Sequence, residues 1–174
     1  PPSKLVLEDM EPLSPKKNEI LIDIHAAGVN FPDTLIIKDM YQFKPALPFT
    51  PGNEVAGVVS AVGEGVTTYS IGDEVIAMPT FGGYAEQIIV SPNQASKKPV
   101  NMDFTTAACF STTYGTSHYG LKDKAQLKAG EVVLILGASG GVGISAIEIA
   151  KAMGAKVIAA ASTDEKLAVC KEYG

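Results

Sequence analysis

The sequence predicts an α/β protein with a β-rich N-terminal part, and three observations carry that prediction. Residues 132–136, VVLIL, form an unbroken apolar run too short for a helix and rich in branched side chains. Residues 156–161, KVIAAA, are a second such run, and the segment between them holds a glycine cluster followed by apolar residues at helical spacing. Upstream, residues 1–100 contain short strand-like runs punctuated by glycine turns, the pattern of a small β-barrel or sandwich.

Taken in order, residues 5–7 read as a short strand and residues 12–18, with two prolines and two lysines, as a loop. Residues 19–27 alternate, with Ile20, Ile22 and Ile24 on one side and Leu21, Asp23 and His25 on the other, as in a half-buried antiparallel strand. His25 is expected to be a hydrogen-bonded structural histidine. Residues 31–38 fit a short helix that tolerates Pro32 in its first turn. Residues 44–51 are a proline-punctuated loop. Residues 55–62, 74–78 and 84–90 are short strands, set off by Gly63-Glu64-Gly65, Gly72-Asp73 and Gly82-Gly83. Residues 91–99 are polar, proline-flanked and aperiodic, the expected domain junction. The reading is therefore two domains, 1–100 and 101–174, the second entered through helices at 104–110 and 114–127.

Residues 131–162 organise the rest. The run 132–136 reads as a strand buried on both faces, as in parallel sheets. The loop 137–143 places four glycines in seven residues. Val142, Ala146, Ile149, Ala150 and Met153 then recur at helical spacing, and Gly154 sits where a C-terminal cap belongs. Strand, loop, helix and second strand make one β-α-β unit of about thirty residues, the length of a nucleotide-binding crossover. Aligned on Ala138, the loop reads Ala-x-Gly-x-x-Gly. Gly140 would let the backbone approach a pyrophosphate, and Gly143 would let the helix pack on the strand. The helix start would offer N–H groups to the phosphates. Ala138, Ser139, Gly140, Gly141, Val142 and Gly143 are the cofactor-binding candidates; the bland alternative is a glycine-rich turn. In register with its flanking elements, the loop reads as a Rossmann-type dinucleotide site.

The end of the second strand bears on which dinucleotide. NAD enzymes commonly place a carboxylate there for the ribose 2′-hydroxyl. Here Ala161 is followed by Ser162, Thr163 and Lys166, a set that accepts a 2′-phosphate, and NADPH is favoured over NADH. Ser162 and Glu165 also fit a capping box, a reading that is compatible with the first. Asp164 and Glu165 add negative charge nearby.

Composition excludes several classes. The chain has 174 residues, 46% hydrophobic and 19% charged, with a formal charge of −5, so nothing favours nucleic acid or an anionic membrane as a partner. No stretch approaches a membrane span, and no signal peptide is visible. Cys109 and Cys170 stand far apart and are expected to be buried free thiols in a reducing cytoplasm. The chain starts at Pro1 without methionine and holds two Rossmann strands where such a domain has about six, so a piece of a longer protein is expected. In the order 3-2-1-4-5-6 those two strands are mid-sheet neighbours, and a polypeptide stopping at Gly174 leaves both as edges prone to self-association.

Four segments together resemble the medium-chain dehydrogenase/reductase superfamily, and its zinc-free quinone oxidoreductase branch in particular. They are Ala26-Ala27-Gly28-Val29-Asn30-Phe31-Pro32-Asp33, Pro51-Gly52-Asn53-Glu54-Val55-Ala56-Gly57-Val58-Val59, Tyr69-Ser70-Ile71-Gly72-Asp73-Glu74-Val75 and the 137–143 loop. The resemblance implies a chaperonin-10-like β domain over 1–100, followed by the start of a Rossmann NADPH-binding domain over 101–174. It also implies that, at full length, the protein is a homodimer. Zinc-dependent relatives use Cys where this chain has Asn30 and His where it has Asn53. Amides are poor zinc ligands, so no metal is expected. The resemblance places Asn30, Asp33 and Tyr41 as catalytic residues lining the cleft, with Tyr41 on the acceptor oxygen, and Thr116 at the nicotinamide. The branch usually has a glycine where this chain has Asp39. Hydride would pass from NADPH to a quinone or an α,β-unsaturated carbonyl. An enoyl-thioester reductase is a variant of that reading, and a non-catalytic NADPH-binding protein, crystallin-like or a sensor, is the alternative from another class.

Overall fold

A computed structural model describes residues 2–174 and divides the chain into two compact units, one ending at Cys109 and one spanning Phe110–Gly174. The first is built on a five-stranded antiparallel sheet of β1 (Ile20–Ala27), β2 (Val55–Val62), β3 (Glu74–Ala77), β4 (Gln87–Val90) and β5 (Ala95–Lys97), in the order β4-β1-β2-β3-β5. The alternation in β1 sets its inner face. Ile20 and Ile22 are fully buried with Val55, Val59, Val75 and Val90, and Ile24 packs on that cluster. Helix α1 (Phe31–Ile37) carries Pro32 in its first turn, where no helical N–H is lost.

Several expectations change here. Residues 5–7 form no strand; they pair with neither sheet edge, and Leu7 is wholly exposed. The fourth strand starts at Gln87 and not at 84, because residues 82–84 instead bond back to the 50–52 loop. Residues 91–99 are no linker. Ser91 closes a capping box with Gln94, and Ala95–Lys97 then add an edge strand to β3. The buried Lys98 ammonium fixes the turn after β5, reaching the Glu74 carboxylate at 2.9 Å and the Met102 carbonyl at 2.5 Å. The short helix α2 (Phe104–Ala107) then packs Ala107 and Ala108 on Ala56 and Ile76, so this unit runs on to Cys109. The His25 ring lies tilted against Phe104, ring centroids 4.5 Å apart, a ring contact where a hydrogen bond was expected.

In the second unit, helix α3 (Ser111–His118) passes into a π-helical turn over Tyr119–Lys124, so the expected helix at 114–127 begins earlier and ends differently. β6 (Val132–Leu136) and β7 (Lys156–Ala160) pair in parallel, joined by α4 (Gly141–Ala152), and α5 (Asp164–Glu172) follows. Gly154, at φ 79°, caps α4 as the sequence predicts. The buried stripe of α4 is Gly143, Ala146, Ile147 and Ala150, and Val142 is exposed. Covered on one face only, β6 buries Ile135 while Leu134 stays 58% exposed, against the expectation of burial on both faces. Cys170 is buried as expected, but Cys109 is exposed. Among the described residues no helix is long and apolar enough to cross a membrane.

Candidate functional site

The loop between β6 and α4 separates its glycines by what each must accommodate. A Cβ on Gly143 would lie 2.5 Å from the carbonyl oxygens of both Gly137 and Ala138, so this glycine is demanded by the close approach of helix to strand. A Cβ on Gly140 would meet nothing closer than 3.5 Å. The fold therefore does not require glycine at 140, and the space it leaves faces outward at the N-cap of α4. Ala138 is fully buried, and its N–H donates to the Ala160 carbonyl at 3.0 Å, which ties the loop to the end of β7.

A recess of about 350 Å³ opens at that junction, lined by Gly137, Ser139, Ala160, Ala161, Ser162 and Lys166. No carboxylate lines it. Thr163, and not Ser162, is the N-cap of α5, accepting the Lys166 backbone N–H. Ser162 is thereby left to accept the Lys166 ammonium at 3.1 Å. The two nearby acids are turned to other work. Glu165 bonds its own backbone N–H and the Thr163 hydroxyl, contacts that hold its carboxyl below the usual range, and Asp164 lines a separate hollow beside α5. Thr116 is exposed on α3. Its neighbour Ser117 is buried 2.8 Å from Ser145 of α4, and the two hydroxyls reach the carbonyls of Val142 and Thr113, which fastens α3 to the helix carrying the loop.

In the first unit, Asn30 and Asp33 come together and Tyr41 does not join them through any direct bond. Asn30 is the N-cap of α1, and its backbone N–H donates to Asp33 Oδ2 at 2.8 Å. Tyr84 donates its hydroxyl to the same oxygen at 2.9 Å. Burial, and then the Asp33 carboxylate, push the Tyr84 phenol well above its usual range, so it is a fixed donor. The Asn30 amide donates to Glu54 Oε2 at 3.1 Å and, at a longer 3.4 Å, to Asn53 Oδ1. Tyr41 is half-buried in the loop after α1. Asp39, two residues before it, holds φ 58°, the left-handed conformation a glycine would take and one that Asp tolerates. Sequence reasoning missed Glu54 and Tyr84 as parts of this cluster. Glu54 stood inside the quoted 51–59 segment, but no local signal connects Tyr84 with a carboxylate fifty-one positions away.

Residues 16–100 match the alcohol dehydrogenase GroES-like domain, and residues 141–174 match the zinc-binding dehydrogenase family. The quinone oxidoreductase of Sus scrofa is 47% identical over 152 residues, 87% of this chain and 46% of that protein. The chain belongs to the medium-chain dehydrogenase/reductase family. Among solved members of that family, the Escherichia coli quinone oxidoreductase complexed with NADPH aligns with TM-score 0.91 at 34% identity, over 96% of this chain and 51% of that one. The CurK enoyl reductase aligns with TM-score 0.87 at 36% identity, over 95% and 52%. The chain thus spans about half the length of the medium-chain dehydrogenase/reductase relatives it matches. The family name attached to 141–174 refers to zinc, but the donor set at 30 and 53 does not fit that metal. Asn30 and Asn53 offer neutral amides, and Asn30 already turns its N–H groups to protein oxygens.

Proposed function

We propose that the intact protein is a zinc-independent, NADPH-dependent oxidoreductase that reduces a quinone or an α,β-unsaturated carbonyl. The observation that carries this is the recess at the end of β7, where Ser162 and Lys166 are presented and no carboxylate intrudes, beside a loop whose Gly140 leaves open space. A 2′-phosphate has a hydroxyl and an ammonium to meet there, and the 2′-hydroxyl of NADH has no carboxylate to accept it. The residues fit the cofactor: Ser139, Gly140 and Gly141 would take the pyrophosphate at the start of α4, with Ala138, Val142 and Gly143 holding the loop in shape. When bound, NADPH supplies the hydride.

Asn30 and Asp33, supported by Glu54 and Tyr84, and Tyr41 from the loop beyond α1, are read as the acceptor side. Tyr41 would donate to the acceptor oxygen, and Thr116 would meet the nicotinamide. Without a Lewis acid such a site suits acceptors that are already electron-poor. A quinone is favoured by the curated relatives, and an enoyl thioester by the likeness to an enoyl reductase. The reading includes a homodimer and a cytoplasmic location, and that neither cysteine is in a disulfide accords with the second. Turnover of the intact protein with NADPH or NADH against a quinone, an enone and an enoyl thioester tests it. Reduction of at least one of them with NADPH preferred, by protein free of zinc, is expected. NADPH binding without turnover of any would instead make it a nucleotide-binding protein.

A further inference from the structure

In the first unit, the side chain of Asn30 has its orientation dictated from outside itself. Its amide nitrogen has two hydrogens and faces two oxygens, Glu54 Oε2 at 3.1 Å and Asn53 Oδ1 at 3.4 Å. Glu54 cannot yield. It is wholly buried just before β2, and its own carbonyl accepts the Gly28 N–H at 2.9 Å. Gly28 has no room for a Cβ, which would lie 2.3 Å from the Ala108 carbonyl oxygen and 3.2 Å from Glu54 Oε2. From the other side, Asp33, only 2% exposed, holds the Asn30 backbone N–H and is itself held by Tyr84. Turning the amide over would set its carbonyl oxygen against a buried carboxylate, lone pair against lone pair.

We propose that Glu54 is a positioning residue that fixes the polarity of Asn30, so that Asn30 presents a ligand with a hydrogen-bond acceptor and never with a donor. The proposal rests on the reading of Asn30 as a site residue given above. Its consequence is chemical. Asn30 cannot polarise the carbonyl oxygen of an oxidised acceptor; it recognises a hydroxyl or amide N–H, such as the hydroxyl of the reduced product. Its carbonyl oxygen has two lone pairs, so a place in the capping box of α1 still leaves one for a ligand.

A donor–acceptor swap tests this in the intact protein. Asn30→Asp keeps an acceptor oxygen but, while both groups are ionised, sets a second carboxylate against Glu54 with no hydrogen between them, and the pairing re-forms only when the two take up a shared proton. Inhibition by added hydroquinone is expected to weaken about tenfold, the worth of one hydrogen bond, and to recover as the pH is lowered. The double variant Asn30→Asp/Glu54→Gln restores the pairing with roles exchanged, the new amide donating to Asp and leaving its second oxygen free. It should regain most of the loss and shed the added pH dependence. A double variant no better than Asn30→Asp, or an Asn30→Asp protein equal to the wild type, overturns the proposal. A readout independent of activity comes from protein labelled with ¹⁵N-asparagine. The Asn30 side-chain amide protons should be shifted downfield and slow to exchange, and should move upfield in Glu54→Gln. Exchange at the solvent rate in the wild type overturns the proposal even if quinones are reduced. Failure to bind NADPH with the amide signal as described removes the functional reading and leaves the Asn30–Glu54 pairing standing.

Discussion

Two glycines three positions apart make opposite predictions at the scale of the residue. Gly143→Ala must displace backbone carbonyls that would lie 2.5 Å from the new methyl, so stability should fall by about 1–3 kcal/mol, the cost of overpacking, as read from the urea midpoint. Gly140→Val meets no such obstacle. The fold should be retained, while NADPH affinity is lost because a branched side chain occupies the phosphate's approach. Unchanged affinity in Gly140→Val would make the loop a turn and nothing more. Lys166 carries the companion prediction. Lys166→Ala should weaken NADPH by about 1–3 kcal/mol and leave NADH nearly unaffected, measured by nucleotide fluorescence, since only NADPH has a phosphate for the ammonium. Equal losses for both would refute the assignment. The loop half of the site was legible because its residues are neighbours in sequence and physics assigns each a job. The Asn30 cluster was legible only in part. Its partners at 53, 54 and 84 arrive on other segments, and the pairing of Tyr84 with Asp33 is a product of the sheet's topology.

Among elements, α3 and α4 are joined by a contact that responds to alkali. Tyr114 donates to the Glu148 carboxylate, and that bond, then burial, pushes its phenol up from 10.0 to about 12. A phenol whose folded value is raised stabilises the fold fully below its unfolded value and stops doing so as pH climbs through the folded one. Wild type should therefore exceed Tyr114→Phe in urea midpoint by a constant margin up to about pH 10, and the margin should close towards pH 12. A margin unaffected by alkali would mean the hydroxyl contributes only packing. The periodicities of β1, β2, β6, α1 and α4 were enough to place those elements. The sequence erred where tertiary pairing decides: residues 5–7 have strand composition and no ladder, while 95–97 have loop composition and gain one from β3. The break between α2 and α3 falls at 108–110 and not at the expected 111–113, because residues 104–118 carry no strong apolar periodicity to mark it.

Across the whole molecule, the first unit closes its core while the second leaves one sheet face bare. Val132, Leu134 and Leu136 of β6 and Ile158 of β7 are all more than half exposed, and Leu134 lies in register with Ile158. Side chains two apart on a strand share a face, so these four make one continuous apolar strip. Both strands also keep an unpaired edge in a two-stranded sheet, and neither carries a charge in its interior to discourage pairing. A polypeptide of these 174 residues, made on its own, is therefore expected to self-associate through this face and its edges. Sedimentation velocity should show species larger than the monomer, growing with concentration. Leu134→Lys together with Ile158→Lys should shift the distribution towards monomer, because two ammonium groups at registered positions oppose each other across any pairing of like faces. Both substitutions fall on exposed side chains, so the core of Ile135, Ala146 and Ile147 is left intact. If the unaltered polypeptide sediments as a single monomer at high concentration, the exposed face does not drive association. If it associates and the double substitution changes nothing, the contact lies elsewhere on the chain.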